Sequence, residues 1–165
     1  MIIRAEQDGD HPAIRVVNEA AFGGREEADL VEALREQRAV LLSLVAQIDG
    51  QIVAHVLFGR MWIDTAAGAL PAVALAPMAV LPAYQRQGVG SQLIRAGLDL
   101  VRGLGEQIIV VVGHPAYYPR FGFSSETAGG LEGPFSREAF MALELEPGSL
   151  RDVRGRVRYP AAFGV

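Results

Sequence analysis

The sequence predicts a mixed α/β fold, built as one domain that spans residues 1–165. Two β-rich runs joined by Asp49-Gly50 have the pattern of an antiparallel hairpin. An amphipathic helical segment at 88–104 lies between two apolar runs, so the order there is strand, helix, strand. That order implies two parallel strands joined by a right-handed crossover. No linker, repeat or low-complexity segment divides the chain, and its length suits one domain with a sizeable core.

The first forty residues predict a short strand followed by two helices. Residues 2–6 suit a strand, and we expect the first helix to begin after Asp10, as its N-cap, with Pro12 in the first turn and glycines after Phe22. The second helix is expected within 25–38, where acidic residues crowd the start and arginines the end. This is the distribution that the helix dipole prefers.

The remainder predicts a sheet around the amphipathic helix. After the hairpin, a third apolar run at 69–82 is interrupted by Pro77. Because proline has no N–H for the ladder, we expect a bulge there or the end of pairing, so that this strand splays from its neighbour. The run 107–113 is almost entirely apolar, as in a strand buried on both faces. Further strands are expected near 140–146 and 156–159.

The composition excludes several classes of protein. Cysteine and lysine are both absent, which removes disulfides, thiolate metal sites, cysteine nucleophiles, P-loop lysines and Schiff-base lysines. The 15 basic residues are all arginines, and a net charge of −4 argues against nucleic acid as a partner. The start of the chain has no apolar stretch of secretory length, and later apolar runs are shorter than the ~20 residues of a membrane span. We therefore expect a soluble, cytoplasmic protein with no membrane partner.

The segment Gln-Arg-Gln-Gly-Val-Gly at 85–90 stands directly before the amphipathic helix. The first N–H groups of a helix have no partner inside it and carry the positive end of the helix dipole, so a loop entering a helix can bind phosphate. Gly88 and Gly90 would let an anion approach closely, and Arg86 adds a mobile positive charge. Taken alone, the same glycines are equally explained by a tight turn that binds nothing.

Two common nucleotide-binding motifs do not fit this segment. A dinucleotide fingerprint would have a third glycine where Leu93 stands and an acidic residue after the next strand, where the sequence reads Val-Val-Val-Gly-His-Pro. A Walker loop would need a lysine. What is left is a strand with a break, a Gln-x-x-Gly-x-Gly turn, a polar-striped helix and a buried strand. This series resembles the coenzyme A site of the GNAT superfamily of N-acetyltransferases.

A second motif supports the resemblance. GNAT chains often follow their last parallel strand with a short helix whose tyrosine stands four residues before a Gly-Phe pair, and here Tyr118 stands four residues before Gly122-Phe123. The match is good from Pro71 to Phe123, whereas the earlier helices and hairpin are generic. The phrases PMAVLPAYQRQGVGSQL and YYPRFGF, with the late GRVRYPAAF, look most similar to the YhbS-type subgroup. The implied fold is a central, splayed mixed sheet flanked by helices.

The resemblance implies where acetyl-CoA, the co-substrate, binds. Backbone amides from Arg86 to Ser91 would embrace the pyrophosphate, and residues 78–80 would pair with the pantetheine arm as with an added strand. Arg120 would lie near the coenzyme, although it is otherwise a plain surface arginine. The implied coenzyme-binding residues are Met78, Ala79, Val80, Gln85, Arg86, Gln87, Gly88, Val89, Gly90, Ser91 and Arg120.

The resemblance also implies a reaction, the direct attack of a primary amine on the acetyl carbonyl in a ternary complex. The amine would belong to a small molecule or a peptide. Tyr118 is the implied catalytic residue, which assists the departing thiolate. With a pKa near 10 for a phenol and about 8.5 for a thiol, full proton transfer is uphill by about 2 kcal/mol, so we expect a strong hydrogen bond. The alternatives are Tyr117 in this role and Tyr118 as an aromatic of the cleft wall.

The base that would deprotonate the amine is not assigned by the sequence. Many GNAT enzymes use a glutamate on the broken strand, but residues 76–82 contain no acid. Acidic residues of the first two helices are usually solvated, and a strand histidine is more often a satisfied structural group. The candidates are Glu19, Glu26, Glu27, His55 and His114. The three histidines show no metal-ligand spacing, so no metal is expected.

The sequence leaves three candidate functions. The missing strand acid makes a non-catalytic acyl-CoA-binding module a competitor of the acetyltransferase, and a dinucleotide-dependent oxidoreductase ranks below both. The acceptor amine cannot be read from the sequence, because loops that select substrates vary on a fixed scaffold. A homodimer is allowed, since many relatives pair through their C-terminal strands.

Overall fold

The structure, a computed structural model, describes all 165 residues. The chain forms two compact units. The first unit comprises Met1–Gly59 and Ala76–Val101, and the second comprises Arg60–Leu75 and Arg102–Val165.

The chain contains eight strands and three α-helices. In order they are β1 (Ile2–Ala5), α1 (His11–Phe22), α2 (Glu26–Glu36), β2 (Val40–Ile48), β3 (Gln51–Thr65), β4 (Gly68–Val80), α3 (Val89–Gly103), β5 (Ile108–Val112), β6 (Leu131–Glu132), β7 (Phe140–Glu144) and β8 (Gly155–Arg158). Short 3₁₀ turns lie at Asp8–Asp10, Pro82–Tyr84, Tyr118–Phe121 and Ala161–Phe163. No helix is both long and apolar enough to cross a membrane.

The strands form a mixed sheet, which confirms the predicted fold class. The order of neighbours is β1-β2-β3-β4-β5-β7, while β8 pairs with β3 and β6. The β1–β2, β2–β3, β3–β8 and β5–β7 pairs are antiparallel, and the β4–β5 and β6–β8 pairs are parallel. The strand–helix–strand segment therefore gives the parallel pair that its sequence predicts.

In the first unit, the hairpin turn falls where the sequence predicts it. Asp49 and Gly50 both have positive φ, 51° and 78°, and Ile48 pairs with Gln51 across the turn. Positive φ at both central residues is the geometry of a type I′ turn, whose twist matches that of the flanking strands.

Helices cover both faces of β3 in the first unit. The side chains of His55 and Phe58 point to opposite faces, because successive residues of a strand alternate. On one face, α1 contacts His55 through Asn18, with 3.1 Å between Asn18 Nδ2 and His55 Nδ1. On the other face, α3 packs Gly97 against the Phe58 ring so closely that a Cβ at Gly97 would overlap Cε2 and Cζ of the ring.

The cap of α1 differs from the prediction. Asp10 occupies the N-cap position, but its side chain makes no capping hydrogen bond to the helix. Its carboxylate instead accepts hydrogen bonds from Arg4 (2.7 and 3.0 Å) and from the backbone N–H of Gln7 (2.7 Å). These partners hold the pKa of Asp10 down, to about 2, the Arg4 hydrogen bond having the largest effect. The C-terminal glycine of α1 is confirmed, since Gly23 has φ 73° and donates to Glu19 O.

The second unit has its own apolar core between the sheet and the C-terminal segment. Its buried members include Met61 and Ile63 of β3, Phe140 of β7, Leu131 of β6 and Val157 of β8. Burial of side chains of this size contributes roughly 1.5–3 kcal/mol each. The short strand β6 has no counterpart in the sequence prediction, because two residues carry no readable periodicity.

β4 passes through Pro77 without interruption, although the sequence suggests a break there. The Ala76–Pro77 peptide bond is cis. The register with β5 joins Val73 to Ile109 and Ala74 to Val110, and β4 continues beyond it to Val80. The parallel pairing therefore ends before Pro77, as expected for a residue without an N–H, while the strand itself goes on.

Candidate functional site

The segment 85–88 forms an exposed turn between β4 and α3 in the first unit. Gln85 ties the turn to the end of β4, because its Nε2 donates a hydrogen bond to Val80 O at 2.9 Å. Arg86 and Gly88 have positive φ, 61° and 87°. Such φ values are easy for glycine and strained for arginine, so the turn holds one residue in a costly conformation at the mouth of a helix.

The turn leaves helix amides unpaired and pointing out of α3. The first bond of the helix joins Gln92 N–H to Gly88 O at 3.0 Å. The N–H groups of Val89 and Gly90 precede this bond, so they have no acceptor one turn earlier in the helix. The Arg86 side chain is exposed and forms no ion pair. Unpaired amides, the positive end of a helix dipole and a free guanidinium together suit an anion such as a phosphate.

The two glycines of the turn have different structural surroundings. Gly88 is required by its backbone conformation, and a Cβ there would lie in nearly open space. Gly90 is required by packing, because a Cβ there would lie 3.3 Å from Val80 Cγ2 and 3.4 Å from Met78 Sδ. Gly90 therefore lets the first turn of α3 approach β4 closely.

The strand segment 78–80 thus lies directly beneath the turn, so the structure brings together the predicted residues of the first unit. Ala79 and Val80 are buried and Met78 is half-buried. Beyond β4, Leu81 N–H donates to Val53 O of β3 at 2.9 Å. The end of β4 is in this way held between β3 and α3, which makes it a fixed platform beside the exposed turn.

Tyr118 begins a 3₁₀ turn in the second unit and is 8% exposed. Its ring makes edge-on contacts with Tyr117 and Phe123, at centroid distances of 5.1 and 5.9 Å. Burial, and to a lesser extent the neighbouring Tyr117, raises the pKa of Tyr118 to about 12. The phenol is therefore held in its neutral form, able to donate a hydrogen bond and a poor source of a free proton.

Arg120 is also in this turn and is exposed. Its guanidinium lies 4.4 Å from the centroid of the Tyr117 ring, and its Nε donates to Tyr117 O at 2.8 Å. The stacked guanidinium is held at the surface with its remaining N–H groups available. Tyr117, the competing residue of the sequence analysis, is half-buried under this arginine.

His55 is enclosed by hydrogen bonds and is 0% exposed. Asn18 Nδ2 donates to Ile14 O at 3.0 Å, which orients the amide so that its other hydrogen faces His55 Nδ1 at 3.1 Å. His55 Nδ1 is therefore the acceptor, and Nε2 carries the hydrogen towards Ser43 Oγ at 2.9 Å. The Ser43 hydroxyl in turn donates to Glu6. With both ring nitrogens occupied and no exposed surface, His55 is a structural residue and is excluded as the base that accepts a proton from a substrate.

The partners of His55 are not predicted above, although the sequence carries a signal for them. Ser43 and His55 are polar residues inside otherwise apolar strand runs, and Asn18 is a fully buried polar residue of α1. Each interrupts an apolar pattern at an inward position, which is a sign of paired polar groups. Burial, opposed by the charge of Glu6 and reinforced by Arg35, lowers the pKa of His55 to about 4.

The other candidate bases lie at or near the surface. His114 is exposed and Glu19 is half-buried, with Glu19 Oε1 3.7 Å from Arg15 Nη1. Glu26 is exposed and Glu27 half-buried, both in the first turn of α2. No group of three or more His, Cys, Asp or Glu residues is arranged to hold a metal ion.

Comparison with known proteins defines the class of this protein. Residues 11–123, more than half of the chain, match the model of the Acetyltransferase (GNAT) family. The chain therefore belongs to the GNAT family, and the resemblance drawn from the turn at 85–90 and from Tyr118 with Gly122-Phe123 is confirmed.

Two relatives from Escherichia coli (strain K12) narrow the comparison. The chain is 36% identical over 166 residues to the uncharacterized N-acetyltransferase YhbS, covering 99% of this chain and 98% of YhbS. It is 44% identical over 116 residues to the uncharacterized N-acetyltransferase YjhQ, covering 69% of this chain and 64% of YjhQ. The alignment thus spans less than two thirds of YjhQ and nearly all of YhbS, which confirms the YhbS-type subgroup.

Two solved structures have the same fold. E. coli YhbS in complex with CoA superposes with a TM-score of 0.91 at 35% identity, covering 99% of this chain and 92% of that one. A GNAT family acetyltransferase from Brucella melitensis in complex with acetyl-CoA gives a TM-score of 0.83 at 37% identity, covering 98% and 97%. The predicted fold, a mixed sheet flanked by helices, is thereby confirmed.

Proposed function

We propose that this protein is an acetyl-CoA-dependent N-acetyltransferase that acetylates a primary amine of a small molecule or a peptide. The observation that carries the proposal is the exposed turn at 85–88, whose unpaired α3 amides and free Arg86 suit a diphosphate. Membership of the GNAT family and the CoA and acetyl-CoA in the two relatives support it.

The residues of the first unit fit coenzyme A. The backbone amides from Arg86 to Ser91 would hold the pyrophosphate, and the Arg86 side chain would add an opposite charge. Residues 78–80 would run beside the pantetheine arm, whose amides pair with backbone groups as a strand does. Gln85 would hold the turn in place through Val80, and Gln87 would do so through the 3.1 Å hydrogen bond from its Nε2 to Ala83 O.

Arg120 is also proposed to bind the coenzyme. Its guanidinium is exposed, and its Nε is already committed to Tyr117 O. The remaining N–H groups would face a phosphate or a carbonyl of the coenzyme.

Acetyl-CoA supplies an activated acetyl group that the amine attacks as coenzyme A leaves as a thiolate. Tyr118 is proposed to donate a hydrogen bond to that sulfur. A phenol with a pKa of about 12 facing a thiol with a pKa of about 8.5 would transfer its proton uphill by about 5 kcal/mol. Burial therefore makes full transfer still less favourable than the sequence suggested, so the proposed role is a hydrogen bond from the neutral phenol.

A non-catalytic acyl-CoA-binding module is the second candidate function. Two observations favour it, the absence of an acid at 76–82 and the enclosure of His55, which removes this histidine as a base. If the acetyltransferase is correct, the amine must lose its proton to water or through His114, Glu19, Glu26 or Glu27.

The two functions are separated by one pair of measurements. CoA and acetyl-CoA should both raise the melting temperature, by an amount equivalent to about 2.7 kcal/mol at 100-fold excess over Kd, whereas NAD and ATP should not. An amine panel should then release free thiol from acetyl-CoA. Stabilisation without release would indicate the binding module, and stabilisation by NAD alone would overturn both.

Tyr118→Phe is the test of the catalytic role. We expect kcat to fall about 100-fold while the Kd of acetyl-CoA is unchanged, because only the hydrogen bond to the leaving sulfur is lost. Tyr117→Phe is the matched control and should keep kcat. Wild-type turnover in Tyr118→Phe would remove the assignment.

Three further predictions stay open to test. They are that residues 1–165 form a single domain, that the protein is cytoplasmic and that it forms a homodimer. Sedimentation at several concentrations with and without acetyl-CoA measures the last of these directly.

A further inference from the structure

Gly113 directly follows β5 in the second unit and lies against the ring of Tyr118. A Cβ at Gly113 would lie 2.8 Å from Tyr118 Cδ2 and closer still to Cε2. Carbon atoms in contact are normally about 3.5–4 Å apart, so a side chain at 113 and the present ring position are incompatible. The Gly113 N–H donates to Ala139 O at 3.0 Å, which holds its backbone in place.

The Tyr118 ring has little freedom to move away from such a Cβ. The N–H groups of Tyr117 and Tyr118 both donate to His114 O, at 3.0 and 3.3 Å, and this turn folds the chain back over Gly113. Tyr117 and Phe123 contact the ring edge-on. Displacing the ring would therefore disturb packing on several sides at once.

The Tyr118 hydroxyl has no hydrogen-bond partner among the protein's own groups. In many sites a second side chain orients a catalytic hydroxyl, but here the packing of the ring alone orients it. Gly113 faces the ring with backbone alone. Its lack of a side chain is what permits the ring position.

We infer that Gly113 is a positioning residue for the Tyr118 phenol, and that its missing side chain aims the O–H at the sulfur that leaves as the amine–carbonyl bond forms. The inference rests on the proposed function. In that step the amine nitrogen bonds to the carbonyl carbon, the carbon–sulfur bond breaks to release the thiolate, the amine proton goes to a base or to water, and Tyr118 keeps its own proton. A purely structural role predicts only lost stability on substitution. A positioning role predicts lost turnover that disappears when the Tyr118 hydroxyl is already absent.

Gly113→Ala is the test, and Gly133→Ala is its matched control. A Cβ at Gly133 would also be crowded, 2.8 Å from Val157 Cγ2 and 3.3 Å from Phe135 Cδ2, but it would not touch Tyr118. Neither glycine has a positive φ, so both substitutions add a methyl group without backbone strain. The two variants therefore overpack the same unit in different places.

The first readout does not depend on activity. The chain has four tyrosines, so 3-fluorotyrosine gives four ¹⁹F resonances that single Tyr→Phe variants assign. Gly113→Ala should shift the Tyr118 resonance and leave that of Tyr159 in place. Gly133→Ala should do the reverse, because the Phe135 ring lies 5.6 Å from that of Tyr159. An unmoved Tyr118 resonance in Gly113→Ala overturns the inference.

The second readout is kinetic. Gly113→Ala should lower kcat at least about tenfold with the KM for acetyl-CoA unchanged, and Gly133→Ala should keep kcat within about twofold. In a Tyr118→Phe background, Gly113→Ala should lower kcat less than about twofold further, because the hydroxyl it misplaces is gone. A kcat that is unchanged in Gly113→Ala, or that falls as much in the Tyr118→Phe background, overturns the inference.

Failure of the proposed function gives a different pattern. A wild-type protein that binds acetyl-CoA but releases no thiol with any amine removes the reaction, and the positioning role falls with it. An active wild type with an unaffected Gly113→Ala variant leaves the proposed function standing and removes only the inference.

Discussion

Acidification is expected to destabilise this protein through His55, the fully buried imidazole of the first unit. Burial lowers the pKa of His55 from 6.5 to about 4, with the Glu6 charge acting against this effect and Arg35 with it. The unfolded chain therefore binds a proton at a higher pH than the folded protein does. Between pH 6.5 and about 4, the unfolded state holds more protons, so the free energy of unfolding decreases as the pH falls.

The size of the effect follows from the two pKa values. The slope approaches about 1.4 kcal/mol per pH unit inside the window, and the loss between pH 8 and pH 5 is about 2 kcal/mol. Glu6 acts at lower pH. Burial raises its pKa, but the hydrogen bonds from Arg35 and Ser43 outweigh this and lower it below 4.5. Its stabilising contribution is therefore present above pH 4.5 and is lost as the pH falls through its folded-state pKa.

Urea unfolding at pH 8, 6.5 and 5 measures the prediction, with His55→Gln as the variant. The substitution is expected to lower the free energy of unfolding at pH 8, because it disturbs the hydrogen bonds to Asn18 and Ser43. The variant should, however, lose about 2 kcal/mol less than the wild type between pH 8 and pH 5. The difference between the two losses isolates the contribution of His55, because the other two histidines are present in both proteins.

His114→Gln is the control, since it removes an exposed imidazole outside the hydrogen-bonded network. It should follow the wild-type curve. The reasoning is refuted if wild type and His55→Gln lose the same stability between pH 8 and pH 5, because the buried imidazole would then titrate alike in the folded and unfolded states.

Two glycine substitutions test the packing and the turn. Gly97→Ala should lower the free energy of unfolding by about 1–3 kcal/mol, because its Cβ would overlap the Phe58 ring. Gly103→Ala is the control, which should cost no stability because its Cβ would lie in open space. Equal urea midpoints of the two variants would contradict this prediction. Gly88→Ala should weaken coenzyme A about fivefold by calorimetry, equivalent to about 1 kcal/mol, because φ 87° is strained for alanine. Gly9→Ala, which adds its methyl group in open space without a positive φ, should bind like the wild type, and equal affinities of all three proteins would disprove the role of the turn.

Features that depend on neighbouring residues were readable from the sequence. The Asp49-Gly50 hairpin, the amphipathic helix α3 and the apolar strand β5 are each written into a few consecutive residues, because turn chemistry and side-chain periodicity are local. The turn at 85–88 was found for the same reason. The proposal that it binds coenzyme A needed a second motif, around Tyr118, since glycines before a helix are common.

Features that depend on distant residues could not be read in this way. The sequence shows Ser43, His55 and Asn18 as isolated polar residues, and only the folded first unit joins them into one network. Asp10 is the N-cap residue that the sequence predicts, but the engagement of its carboxylate by Arg4 of β1, in place of a capping hydrogen bond, was not readable. The close packing of Gly90 against Val80 was not readable either.

By itself, the sequence determined the order of the elements, the hairpin and the turn at 85–88, because these follow from backbone preferences within a few residues. The tertiary structure decided which strands pair and which side chains are enclosed. It also explains why position 113 is a glycine, since the Tyr118 ring of the turn after β5 occupies the space that a side chain would need. Periodicity shows that a residue faces inward, but the partner it meets there is set by the packing of the whole chain.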